Sequence, residues 1–159
     1  MGSRVEDFYI SRSGAQNQDS RIPCILTANF PELGRFTALR FIEWISENPE
    51  GVISLPTGKT PEHFIKWTAY FLKNWDNRQS MQIREKTGLV DLKKPVTRGL
   101  RFVQIDEFYP ISPHQHNSFC NYVKEYYIKN FELDPERCLL MDSEKISLYH
   151  NLPYHEVFP

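Results

Sequence analysis

Two short stretches hold residue types whose spacing could do chemistry. The first, Ser54-Leu55-Pro56-Thr57-Gly58-Lys59-Thr60-Pro61, sets threonine hydroxyls, a glycine and an ammonium between an apolar run and a proline. Where a strand gives way to a helix, such a turn presents backbone N–H groups, and the helix dipole adds positive potential. The chemistry it suits is the holding of a phosphate. The second stretch, Asp106-Glu107, closes another apolar run. A carboxylate there could take a proton from a carbon next to a carbonyl, and burial beside Ile105 and Phe108 would raise its basicity. Each stretch also has a plain structural alternative: a strand–helix turn with a threonine cap, and an acid that anchors a loop or caps a helix.

Gly58-Lys59-Thr60 ends like the nucleotide-binding loop Gly-x-x-x-x-Gly-Lys-Ser/Thr, and counting tests that likeness. The loop requires a glycine at position 53. That position holds Ile53, and Gly51 lies two places too early. The intervening residues belong to the strand, so the turn cannot wrap a triphosphate. A single phosphate monoester fits it.

The elements that would position these residues follow from the apolar pattern. Residues 1–20 read as a flexible lead-in, with Met1-Gly2-Ser3 as an expression scar and no apolar period across 11–20. The run 22–27 predicts a first strand. Phe36, Leu39, Ile42 and Ile45 mark a helix stopped by Pro49 and Gly51, and 51–55 predicts a second, buried parallel strand. Pro61 stands at a first helical position with Thr60 as its cap, and Phe64, Thr68, Phe71, Leu72 and Trp75 continue that helix on one face. Residues 84–94 read as a surface excursion, within an insertion near 78–98. A third strand over 100–106 ends on Asp106, Phe119, Tyr122, Val123 and Tyr126 mark a third helix, and 138–141 predicts a fourth strand. The alternation predicts an α/β fold: a doubly wound, mostly parallel sheet with helices on both faces (Rossmann-like), and incomplete.

Composition narrows the partners. With 19 Lys and Arg against 20 Asp and Glu, and no basic arm, nucleic acid and anionic membrane are not favoured. No apolar run is long enough to span a bilayer, and the N-terminus has no signal-peptide pattern. Three widely spaced cysteines, Cys24, Cys120 and Cys138, read as reduced and, for Cys24 and Cys138, buried in apolar runs, which points to the cytoplasm.

Taken together, residues 55–61, the stretch Phe102-Val103-Gln104-Ile105-Asp106-Glu107-Phe108-Tyr109, and Asn117-Ser118-Phe119-Cys120-Asn121-Tyr122-Val123 resemble the glucosamine-6-phosphate deaminase/isomerase family. That family carries a Leu-Pro-Thr-Gly-Gly-Thr-Pro loop, a strand ending in Asp-Glu-Tyr, and a Ser-Tyr-x-x-Phe helix start. Here Ser118 lies twelve residues after Asp106, as the family's serine does, with Phe119 and Tyr122 in the aromatic places. The resemblance spans residues 22–141. It implies that Thr57, Gly58 and Thr60 hold the phosphate of a small sugar phosphate, with Lys59 able to add a charged contact and Glu107 in a supporting role on the substrate side. Asp106 would be the base moving a proton between C1 and C2 of the opened sugar, releasing ammonia with neither cofactor nor metal.

The departures from the family matter as well. Lys59 replaces a glycine, which would weaken phosphate binding if the backbone needs positive φ there. Phe108 replaces a tyrosine. The family's glycine-rich Gly-x-Asp-Gly-His segment does not occur before Pro159. The chain therefore reads as the N-terminal part, residues 21–159, of a longer enzyme, inactive by itself and able to self-associate through exposed apolar surface. Two rivals remain: a 6-phosphogluconolactonase-like hydrolase, whose family shows Asp-Glu-Arg where this chain has Asp106-Glu107-Phe108, and a sugar-phosphate sensor without catalysis. His114 and His116 form a His-x-His pair for which Asp106 could be a third metal ligand. The resemblance implies no metal. His63 and His155 have no partner that sequence identifies.

Overall fold

The computed structural model describes residues 2–13, 24–109 and 111–143. These fall into two compact units, one drawn from residues 1–49 and 59–96, the other from 50–58 and 97–159.

The first unit is helical: α1 (Arg4–Ser13), α2 (Phe30–Glu47), α3 (Glu62–Lys73) and α4 (Arg78–Lys86). Helix α2 starts where the Asn29 side chain accepts from the Glu32 amide at 2.9 Å, while the Glu32 carboxylate accepts from the Ala28 amide at 3.0 Å. The first bond satisfies an amide that a helix start leaves bare, and the second ties the residue before the cap to the same turn. Ala38, Leu39, Ile42 and Ile45 are buried along its inner stripe. Against α2 lies α3, whose Phe64, Thr68, Phe71 and Leu72 are buried as their spacing predicts. The contact is close at Gly34, where an added Cβ would come within 2.4 Å of His63 Cβ.

Several sequence expectations for this unit are corrected. Helix α1 occupies most of the first thirteen residues of the lead-in, with Val5 and Tyr9, one turn apart, both buried; residues 14–20 lie outside the described ones. Its start is held by Glu43 of α2, a buried carboxylate that accepts from the Ser3 hydroxyl at 2.5 Å and the Arg4 amide at 2.8 Å. Residues 24–27 form no strand, Leu26 and Cys24 are exposed, and residues 22–23 lie outside the described ones. Helix α3 begins at Glu62 with Pro61 as its cap residue and no side-chain capping bond, so Thr60 does not cap it. The excursion expected at 84–94 starts inside a packed helix. Arg84 and Leu89 are buried, and the Arg84 guanidinium stacks 3.8 Å from the Trp75 ring centroid while donating to the Trp75 carbonyl at 2.8 Å. Burial lowers the Arg84 pKa, against the raising field of Asp76.

The second unit holds a parallel sheet of β1 (Val52–Ile53), β2 (Arg101–Val103) and β3 (Cys138–Leu139) in the order β1-β2-β3. After β2, the chain forms α5 (Phe119–Tyr122), which runs directly into a π-helical turn over Val123–Ile128. The register places Ile53, Phe102 and Cys138 on one face, the first two buried and Cys138 partly so rather than fully buried as expected. Val52, Arg101, Val103 and Leu139 share the other face, and all four are exposed. The α/β class and the parallel pairing are as expected. The coverage of both faces is not: the second face stands open, and the described residues hold three strands rather than four. Burial pushes the Cys120 and Cys138 thiols up, so both stay protonated.

Candidate functional site

Because β1 and β2 are parallel neighbours, the chain leaves both from the same edge of the sheet. The stretch after β1 is Ser54 to Gly58, and the stretch after β2 carries Gln104, Asp106 and Glu107. Carboxyl ends of adjacent parallel strands are where open α/β sheets bind ligands. Thr57, Gly58, Asp106 and Glu107 thus belong to one unit. Lys59 and Thr60, both exposed, belong to the helical unit, where the Lys59 carbonyl accepts from the Glu62 amide at 3.2 Å.

The loop is held by three hydroxyls. Ser54 Oγ donates to the Val103 carbonyl at 2.7 Å, fastening the end of β1 to the end of β2. Tyr127 donates to the Pro56 carbonyl at 2.5 Å, and Tyr122 to the Gly58 carbonyl at 2.7 Å. Among the described residues, the amides of Thr57 and Gly58 donate to no protein group. A loop with fixed carbonyls and free amides can receive an anion. Gly58 takes a φ of +94°, the left-handed conformation that suits glycine. Lys59 does not, so the backbone demand that would have counted against a lysine falls one residue earlier.

The two carboxylates have different surroundings. Asp106 is exposed, and its carbonyl accepts from the Gln104 side chain at 2.8 Å. Gln104 is itself buried. Its side-chain oxygen accepts from the Met141 amide at 2.9 Å and its amide donates to the Leu139 carbonyl at 3.0 Å, which ties the end of β2 to β3. Glu107 turns to the start of α5. Its carboxylate accepts from the Cys120 amide at 2.7 Å, Ser118 Oγ at 2.8 Å, and the Phe119 and Phe108 amides at 3.0 Å each. Burial works to raise its pKa, but those donors from Cys120, Phe119, Ser118 and Phe108 outweigh it and hold the carboxyl below its ordinary value. Glu107 therefore anchors a helix start, beside Ser118 as N-cap.

Sequence reasoning missed Ser54, Gln104 and Tyr127. Their roles arise from bonds across strands or to residues about fifty and seventy positions away, which no local pattern reveals. His114 and His116 are exposed, and among the described residues no three His, Cys, Asp or Glu side chains are grouped to hold a metal ion.

The fold is similar to that of solved structures. The chain matches a monomeric glucosamine-6-phosphate deaminase of the NagB superfamily with a TM-score of 0.54 and 21% sequence identity. The match covers 77% of this chain and 43% of that one, so this chain spans less than half the length of the protein it matches. No protein-family model and no curated protein sequence matches it. At this identity the likeness establishes an α/β fold of the kind that deaminase has; function has to be argued from the site. No helix among the described residues is long and apolar enough to cross a membrane.

Proposed function

We propose that this chain supplies the phosphate-holding loop and the proton-moving carboxylate of an aminosugar-phosphate deaminase/isomerase acting on glucosamine 6-phosphate. The observation that carries the reading is the pairing of β1 with β2, with free loop amides following one strand and Asp106 following the other. The phosphate would rest on the Thr57 and Gly58 amides, with the Thr57 hydroxyl beside them; Lys59 and Thr60 extend the same loop. In the opened sugar, C1 is an aldehyde and C2 bears the amine. Asp106 would take the C2 proton and return it to C1 while a proton passes from the amine to O1, leaving a C1 alcohol and an imine at C2. Addition of water to that imine releases ammonia and leaves fructose 6-phosphate. Glu107 supports this indirectly, by fixing α5 and hence the tyrosines that hold the loop.

A binding role without turnover draws on a different observation: Asp106 is exposed, whereas a base for carbon acids works best away from water. The test is ammonia release from glucosamine 6-phosphate by the protein that carries this chain. Replacing Asp106→Asn is expected to lower the rate by about a thousandfold while leaving binding intact. Equal turnover by the variant would remove Asp106 as the base. Saturable binding with no ammonia released would make the protein a sugar-phosphate sensor.

A further inference from the structure

The π-helical turn Val123–Ile128 has no role in the reaction as drawn, yet it carries Tyr127, the side chain that grips the loop most closely. We propose that this turn is a positioning device: it brings Tyr122 and Tyr127 onto one face, so that their hydroxyls clamp the Pro56 and Gly58 carbonyls and aim the loop amides at a phosphate. This rests on the loop holding an anion, as proposed above, but the clamp can be tested without it.

The spacing makes the argument. In an α-helix, residues five apart point about 140° away from each other, so two tyrosines at i and i+5 cannot address one short loop. An i→i+5 turn returns the fifth residue to the same face. Such a bond closes here, from the Lys129 amide to the Lys124 carbonyl at 3.2 Å. Both hydroxyls reach carbonyls only two residues apart in the loop. An α-helical continuation would instead offer Tyr126, which is half exposed and rests against Tyr122 with ring centroids 4.5 Å apart. Tyr127 is fully buried, between Phe102 of β2 at 5.8 Å and Phe131 at 5.5 Å, so its hydroxyl is held by packing on both sides.

Peptide planarity carries the effect to the ligand side. In a trans peptide the carbonyl and the following N–H point in opposite directions. Fixing the Pro56 carbonyl on Tyr127 therefore turns the Thr57 N–H away from the tyrosines. Fixing the Gly58 carbonyl on Tyr122 does the same for the N–H across the Gly58–Lys59 peptide. The two hydroxyls never touch substrate; one sets the direction of the Thr57 donor, and together they fix the peptides on either side of the Gly58 donor.

The experiment uses Tyr127→Phe and Tyr122→Phe, which keep the rings and remove only the hydroxyls. Backbone order is read by ¹⁵N relaxation at Thr57 and Gly58, with Phe102 and Val103 of β2 as internal reference. Affinity is read by titration with inorganic phosphate and with glucosamine 6-phosphate. In each variant the loop order parameters are expected to fall from about 0.85 toward 0.6 with the strand values unchanged, and both ligands to bind about fivefold more weakly. Unchanged loop order in both variants would overturn the clamp, as would an equal loss of order in loop and strand, which would mark the tyrosines as packing alone. If the unaltered protein binds neither probe, the anion reading of the loop falls, and loop order alone decides whether the clamp exists.

Discussion

Asp106 and Glu107 are neighbours in sequence with opposite fates. Asp106 stands exposed at the end of β2, while both oxygens of Glu107 are engaged by donors around the start of α5. A carboxylate so held is favoured in its charged form, which gives it a pH signature. Its folded pKa lies below the unfolded value of about 4.3, so its contribution is complete above that pH and is lost as the pH falls through the folded value. Glu107→Gln is expected to cost about 1–2 kcal/mol at pH 7, since neutral acceptors bind those amides less strongly. Urea denaturation of both proteins from pH 7 down to about pH 3 should show the gap between them closing only at the acid end. A gap that is constant with pH would mean that the charge of Glu107 is irrelevant to holding α5.

Among the elements, the tightest constraint lies where α2 meets α3. Gly34 faces His63 so closely that an alanine Cβ would lie 2.4 Å from His63 Cβ and 2.6 Å from its backbone carbonyl carbon. Alanine favours a helix over glycine by about 1 kcal/mol, but backbone cannot yield as a flexible side chain can. Gly34→Ala should therefore destabilise the protein by about 2–3 kcal/mol, measured by the urea midpoint, against the direction that helix propensity alone predicts. The same scale shows what was legible in the sequence. The loop after β1 and the acid after β2 could be found because each strand is a short apolar run that ends at a proline or a charge. Helix α3 was legible because its stripe repeats over three turns. Helix α1 was not, because among its described side chains only Val5 and Tyr9 are buried and the carboxylate that holds its start lies about forty residues away. The run 22–27 has strand-forming residues, yet a strand exists only where it pairs with another, and residues 24–27 join no strand of the described sheet. Arg84 looked like a surface charge because its Trp75 platform is invisible to hydropathy. The turn after α5 misled most: α-helical spacing singled out Tyr126, whereas the π turn makes Tyr127 the buried one.

At the scale of the whole chain, each unit is assembled from two separated stretches, with crossings after residues 49, 58 and 96. Neither unit corresponds to one continuous segment. The open sheet face is the other feature of this scale, since Val52 and Leu139 are 60% and 69% exposed on strands that bury their opposite face. A parallel sheet ordinarily has both faces covered. That row should bind an environment-sensitive apolar dye in the folded state, and Val103→Thr with Leu139→Thr should lower the dye signal while leaving the thermal midpoint nearly unchanged. Dye binding that both substitutions leave unaltered would place the apolar surface elsewhere.

The buried phenol of Tyr127 has an optical consequence. Burial, with a smaller push from Tyr122, raises its pKa well above the ordinary value. A free tyrosine ionises near pH 10 and changes its ultraviolet absorbance as it does so. In an alkaline titration of the folded protein, Tyr127 would ionise only well above that pH. The stability that Tyr127 contributes is complete below about pH 10 and is lost as the pH rises through its raised folded value. When that proton leaves, the Pro56 carbonyl loses its donor, so the Tyr127 step of the absorbance curve doubles as a spectral signal that the loop has been released. Tyr127→Phe should erase that step and leave the rest of the curve in place.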